Sequence, residues 1–119
     1  MLDLGHKKLD VWKLGIKLVK DIYQLTDSFP VTERYGITSQ LRRAALSIPT
    51  NIAEGSSRSS AKERKRFYEI SRGSLVEVDS LLEVCTELHY CNRSELLDIS
   101  TLNNELFAKL SKLIEKTIY

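Results

Sequence analysis

Apolar residues recur at helical spacing in four stretches of the chain. The first predicts a helix from about Leu9 to Asp27. Val11, Gly15, Leu18, Ile22 and Leu25 form one row, and Trp12, Ile16, Val19 and Tyr23 form the row beside it. Two adjacent rows make the wide apolar stripe of a core-facing helix. Asp10 falls in the first turn, on the favourable side of the helix dipole. Pro30 stops the helix, because the residue before a proline avoids helical geometry. Val31 to Ile37 is a connector with one helical turn at Thr32–Tyr35, and Gly36 breaks it at little steric cost.

The second stretch predicts a helix that begins near Thr38, a good N-cap. Ile37, Leu41, Ala44, Ala45, Ile48 and Ile52 keep helical period. Pro49 lies inside this run and costs a helix about 3 kcal/mol or more. The apolar period continues in phase on both sides, so the expectation is a kink and not an end. Gly55 to Ser60, GSSRSS, reads as a loop. Ser60 followed by Glu63 is a capping box, opening a third helix to about His89. Its inward row reads Phe67, Ile70, Ser74, Val78, Leu81, Cys85 and Leu88, over roughly 45 Å at the α-helical rise. Tyr90 to Arg93 is a turn, and Ser94 can cap a fourth helix. Leu96, Ile99, Leu102, Leu106, Leu110, Leu113 and Ile118 carry that helix to the C-terminus. Four amphipathic helices with short loops predict one all-α domain over residues 1–119, an antiparallel up-down four-helix bundle.

Composition agrees. The 119 residues are 42% hydrophobic and 29% charged, with only 2 Pro and 5 Gly, too few for a fold rich in tight β turns. The N-terminal string MLDLGHKKLDVWK has no signal-peptide hydrophobic region. No apolar run approaches the roughly 20 residues of a membrane span. Cys85 and Cys91 form no disulfide framework, as expected of reduced thiols in a cytoplasmic protein. The net charge is +2, but it is unevenly spread. From Arg42 to Arg72 eight basic residues oppose three acidic ones, and from Gly73 onward four oppose eight. The middle is therefore basic and the second half acidic.

Motifs for catalysis or cofactors do not emerge. A di-iron bundle needs Glu-x-x-His pairs, but Thr86 stands three before His89 and Asp3 three before His6. Cys85, His89 and Cys91 are neighbours in sequence, yet structural zinc wants four ligands and the chain has no further Cys or suitable His. There are no paired catalytic carboxylates, no nucleophile elbow and no P-loop. The GSSRSS loop leads into a helix N-terminus that could hold an anion, though a plain connector explains it. The expectation is a protein that is not an enzyme and carries no cofactor or metal.

Two faces stand out. Gln40, Arg43, Ser47, Asn51 and Glu54 share one side of the second helix at spacings of 3, 4, 4 and 3. A merely wet face would ordinarily use Lys and Glu, whereas Ser and Asn are poorer helix formers. The row therefore suggests a hydrogen-bonded contact with another helix or subunit. The basic residues Arg42, Arg58, Lys62, Lys65, Arg66 and Arg72 form the second face, joined by Arg64, with Arg43 nearby. Lys62, Lys65 and Arg66 share one side of the third helix. Clustered cations of this kind can neutralise phosphates.

The strings ITSQLRRAALSIPTNIAEGSSR and RFYEISRGSLVEVDSLLEV closely resemble the four-helix bundle family of 23S rRNA intervening-sequence proteins, and LDVWKLGIKLVKDIYQLTDSFP is also similar to it. The resemblance covers nearly the whole chain. It implies a bundle assembled as a ring-like homopentamer. The chain is also similar to the accessory protein of diversity-generating retroelements, which forms a basic pentameric barrel that binds nucleic acid and a reverse transcriptase. The family pattern puts weight on Gln40, Arg43, Ser47, Asn51, Glu54, Gly55, Arg58, Gly73, Ser74 and Glu77, all present here. Ser74 and Glu77 thereby join the expected interface. Two functions follow as expectations. One is an oligomer that binds structured RNA or DNA through the helix 2–3 surface. The other is a scaffold that recruits a partner protein without nucleic acid.

Overall fold

The structure is a computed structural model that describes residues 1–118. Four α-helices account for most of it: α1 (Asp10–Thr26), α2 (Ile37–Ser56), α3 (Ala61–Glu87) and α4 (Leu97–Lys116). Short 3-10 turns at Gly5–Lys8 and Val31–Glu33 precede α1 and α2. No strand occurs among the described residues. Each helix packs on the next, and α4 packs back on α1; the diagonal pairs keep apart among the described residues. Leu18, Ile22, Leu41, Ile48, Ile52, Val78, Leu106 and Leu110 fill the centre, fully buried. No helix among the described residues is long and apolar enough to cross a membrane.

The first row of α1 is buried as its spacing predicts, with Leu25 half-buried. The second row lies at the rim: Trp12 and Val19 are half-buried, and Ile16 and Tyr23 are exposed. In α3 the expected inward row is displaced by one residue over most of its length. Tyr68, Ser71, Leu75 and Leu82 are buried, while Ile70 and Leu88 are exposed and Phe67, Ser74 and Leu81 are half-buried. Val78 and Cys85 are common to both rows. Apolar residues occupy more than half of this helix's circumference, so period alone does not fix which row faces in. The row that faces in includes a polar residue held by a hydrogen bond: the fully buried Ser71 donates its hydroxyl to the Ile48 carbonyl at 2.9 Å.

Four boundaries differ from those the sequence predicts. Thr38 does not cap α2. The N-cap is Gly36, and the Glu33 carboxylate accepts from the Ile37 N–H at 3.3 Å. Thr38 is instead buried inside the first turn, its hydroxyl unpartnered among the described residues. Gly55 and Ser56 belong to α2 and not to the loop. Ser94 does not cap α4. Asn92 Oδ1 accepts from the Ser94 hydroxyl and the Glu95 N–H, closing a turn before α4 begins at Leu97. Helix α4 also ends at Lys116, leaving Ile118 beyond it and exposed. The capping box is real on one side, with Ser60 Oγ accepting from the Glu63 N–H at 3.1 Å.

Helix α3 ends in a Schellman motif. The Tyr90 N–H donates to the Cys85 carbonyl at 2.9 Å and the His89 N–H to the Thr86 carbonyl at 3.0 Å. The motif needs a left-handed residue, usually glycine, but here His89 takes it with φ of 62°. A side chain in that region is strained. His89→Gly is therefore expected to stabilise the chain by about 1 kcal/mol, raising the thermal midpoint by roughly 4 °C. A calorimetric scan checks this, and a lowered midpoint would contradict it.

Candidate nucleic-acid and protein interfaces

Pro49 sits in the middle of α2, and the helix runs through it unbroken. Proline removes one N–H from the ladder and crowds the preceding turn. The carbonyls just before it receive extra donors from side chains. Thr50 Oγ1 donates to the Leu46 carbonyl at 2.7 Å, Asn51 Nδ2 to the Ser47 carbonyl at 2.8 Å, and Ser71 to Ile48. Asn51 Nδ2 also reaches Ser47 Oγ at 2.8 Å, and the Ser74 hydroxyl donates to the same oxygen at 2.9 Å. Three residues of the expected interface, Ser47, Asn51 and Ser74, thus form a small network on the outer seam between α2 and α3.

Gln40, Arg43, Glu54 and Glu77 behave differently. All four are exposed. Glu54 is 3.6 Å from the Arg58 guanidinium. Of Arg43, Asn51 and Glu54, only Asn51 is half-buried within one chain, while the other two are left at the surface. Asn51→Ala is expected to cost about 1 kcal/mol, the net worth of an ordinary hydrogen bond. A shifted urea midpoint at constant slope would show it; an unshifted midpoint would make the network energetically idle.

The six basic candidates fall into three places. Arg58, Lys62, Lys65 and Arg66 gather where α2 hands over to α3. Arg58 lies 4.8 Å and Arg66 5.4 Å from the centroid of the Phe67 ring. Glu54 and Glu63 pair with them at 3.6 and 3.8 Å. Lys62 is exposed and Lys65 half-buried. Arg64 fastens the loop, donating to the Arg58 and Ser59 carbonyls at 3.1 and 3.0 Å.

Arg42 is not part of this cluster. It stands in the second turn of α2, about 20 Å of helix from that end. Its Nε donates to Thr26 Oγ1 at 2.8 Å, its Nη2 contacts Asp27 at 3.2 Å, and its guanidinium is 4.4 Å from the Tyr23 ring centroid. Those contacts bind the end of α1 to α2. Arg72 is also apart, donating to Ser111 Oγ at 3.1 Å on the α4 side. The sequence could not separate these roles, since each partner is distant along the chain.

The cysteines are free and buried. Burial pushes the Cys85 thiol up to about 11 and the Cys91 thiol up as well, so both are poor nucleophiles at neutral pH. No group of three or more His, Cys, Asp or Glu that could hold a metal occurs among the described residues.

One residue the sequence reading passed over is Glu33. One of its carboxylate oxygens accepts from Ile37 and the other from the Tyr90 hydroxyl at 2.7 Å. It thereby ties the α3–α4 turn to the start of α2, and that hydrogen bond raises the Tyr90 phenol above its ordinary range.

A family model described as 23S rRNA-intervening sequence protein matches residues 7–112. No curated protein matches the chain.

Proposed function

Because the chain belongs to the 23S rRNA-intervening sequence protein family, we propose that it is a non-enzymatic homo-oligomer that binds structured RNA through the α2–α3 junction. The observation carrying this reading is the gathering of Arg58, Lys62, Lys65 and Arg66 within the loop and first two turns of α3. Phosphates are the natural counter-charge for such a cluster. Arg42 and Arg72, engaged inside the chain, are left out of the binding set. The protomer is read as an up-down bundle. Contacts between Asp10 and Lys109, Thr26 and Arg42, Ser56 and Tyr68, and Glu83 and Arg93 support it, joining each helix end to its neighbour's start or end. Two free buried cysteines fit a cytoplasmic setting.

The oligomer is proposed to be the pentamer that the family resemblance implies, with Gln40, Arg43, Glu54 and Glu77 meeting a neighbouring copy beside the Ser47–Asn51–Ser74 network. Gly73 supports this. It stands in the middle of α3 with nothing within 4 Å of where a Cβ would sit. Glycine there costs about 1 kcal/mol of helix propensity, with no compensating contact in the protomer.

A salt titration tests the nucleic-acid reading. Affinity for a generic structured RNA is expected to fall steeply with salt, each phosphate contact adding about −0.7 to −0.9 to the logarithmic slope. Reversing Lys62 and Arg66 to Glu should flatten it. Salt-independent binding, or none at low salt, would sink the reading. The pairing of Arg58 and Arg66 with Glu54 and Glu63 favours the second reading, a scaffold that recruits a protein partner. That reading predicts an intact oligomer with no affinity for RNA.

A further inference from the structure

At the α2–α3 junction two guanidiniums lie over one aromatic ring. Arg58, from the loop, is 4.8 Å from the Phe67 ring centroid, and Arg66, from the preceding helical position, is 5.4 Å from it. The ring is half-buried and anchored where α2 comes closest, since a Cβ on Gly55 would lie 2.9 Å from Phe67 Cβ. Each guanidinium also has a carboxylate nearby, Glu54 at 3.6 Å and Glu63 at 3.8 Å. Those carboxylates offset the charge that Arg58 and Arg66 present to a phosphate. Yet the two arginine side chains stay 48% and 62% exposed. What they offer outward is a flat, weakly hydrated π-face backed by an aromatic ring. Lys62, exposed on the same stretch of α3, offers a point charge instead. Beside this layer the surface is recessed. A cleft of about 290 Å³ lies between His6 of the N-terminal turn and Ser56, Ser57 and Tyr68. Ser57 and Tyr68 are the chain neighbours of Arg58 and Phe67, so layer and cleft adjoin.

We propose that this junction recognises unpaired nucleotides of an RNA, in a loop or bulge, by stacking a base on the Arg58–Phe67–Arg66 layer while Lys62 and Lys65 hold the flanking phosphates. In a paired A-form helix every base face is covered by its neighbours, and the deep major groove admits no side chain. Only an unpaired base has a face free to stack, and the recess beside the layer admits a nucleotide turned out of its helix. Aromatic rings and guanidinium planes accept any base, because every base has a π-face. The preference is therefore for unpaired structure and not for one base. The inference rests on the RNA reading above and narrows its substrate to unpaired segments.

Two labelled RNAs with equal numbers of phosphates test it by fluorescence anisotropy. One is a fully paired duplex, and the other carries mismatched adenines that open an internal loop. The full-length protein is expected to bind the looped RNA about tenfold or more tightly than the duplex, the effect of stacking a single base. Arg58→Lys and Arg66→Lys together keep the charge and remove the planar groups. That variant should lose the preference, binding both RNAs with the parent's duplex affinity and salt slope. Phe67→Leu, with an unchanged far-ultraviolet dichroism spectrum, should lose most of the preference as well. Equal and salt-steep binding of both RNAs by the parent, or a preference that survives the double lysine variant, would overturn the stacking inference and leave the RNA reading standing. No affinity for either RNA would overturn both.

Discussion

Gly55→Val is expected to destabilise the fold by about 3 kcal/mol and lower the thermal midpoint by roughly 10 °C. Gly55 is in the last turn of α2. Its φ is not positive, so it is not there for backbone freedom. It is there for space. A Cβ at this position would lie 2.9 Å from Phe67 Cβ and 3.0 and 3.1 Å from two ring carbons of Tyr68. Tyr68 cannot retreat easily, since it is buried and its hydroxyl shares a 3.1 Å hydrogen bond with Ser56. Phe67 is the ring that Arg58 and Arg66 flank. Valine would therefore force α2 and α3 apart where the basic cluster is assembled. RNA affinity should fall with stability in this variant, whereas the charge reversals should lower affinity alone. Gly15 is the control: a Cβ there meets Pro49 at an ordinary 3.4 Å, so Gly15→Ala should fold normally. A Gly55→Val midpoint equal to that of the parent would refute the close-approach account.

The fold was legible in sequence where one local pattern had a single reading; the caps at Thr38 and Ser94 were misread because Glu33 and Asn92 close those turns instead. Ser60 and Glu63 announce the start of α3 because the capping bond spans three residues. The Val11–Gly15–Leu18–Ile22 row is the only continuous apolar row of its helix to be buried throughout. Helix α3 was legible as a helix but not in its facing. Ser71 looks like a surface residue until its bond to Ile48, 23 residues away, is seen. The tie between Glu33 and Tyr90 was missed for the same reason, since 57 residues separate them.

The polar row of α2 was legible as a face, yet its purpose was only half visible. The spacing of Ser47 and Asn51 reflects their own i,i+4 hydrogen bonds within the chain as much as any contact outside it. Basic residues are the least legible class. Arg42 and Arg66 look alike in sequence, but Thr26 and Asp27 hold one while the other stays at the surface beside Glu63.

Asn103→Leu is expected to stabilise the chain by about 1–2 kcal/mol, although most buried substitutions destabilise. The sign follows from the accounting of one atom. Asn103 is buried between Leu102 and Leu106 in the sequence of α4 and lines the α3–α4 groove beside Leu75. Its Oδ1 has no donor among the described residues. An unsatisfied buried acceptor costs about 1–3 kcal/mol, and leucine removes it while adding helix propensity and apolar area. The groove is open toward Val76 and Phe107, so the larger side chain has room and should not overpack. The thermal midpoint should rise by roughly 5 °C. A midpoint that falls in Asn103→Leu would show that the amide already has its partner in the free protein.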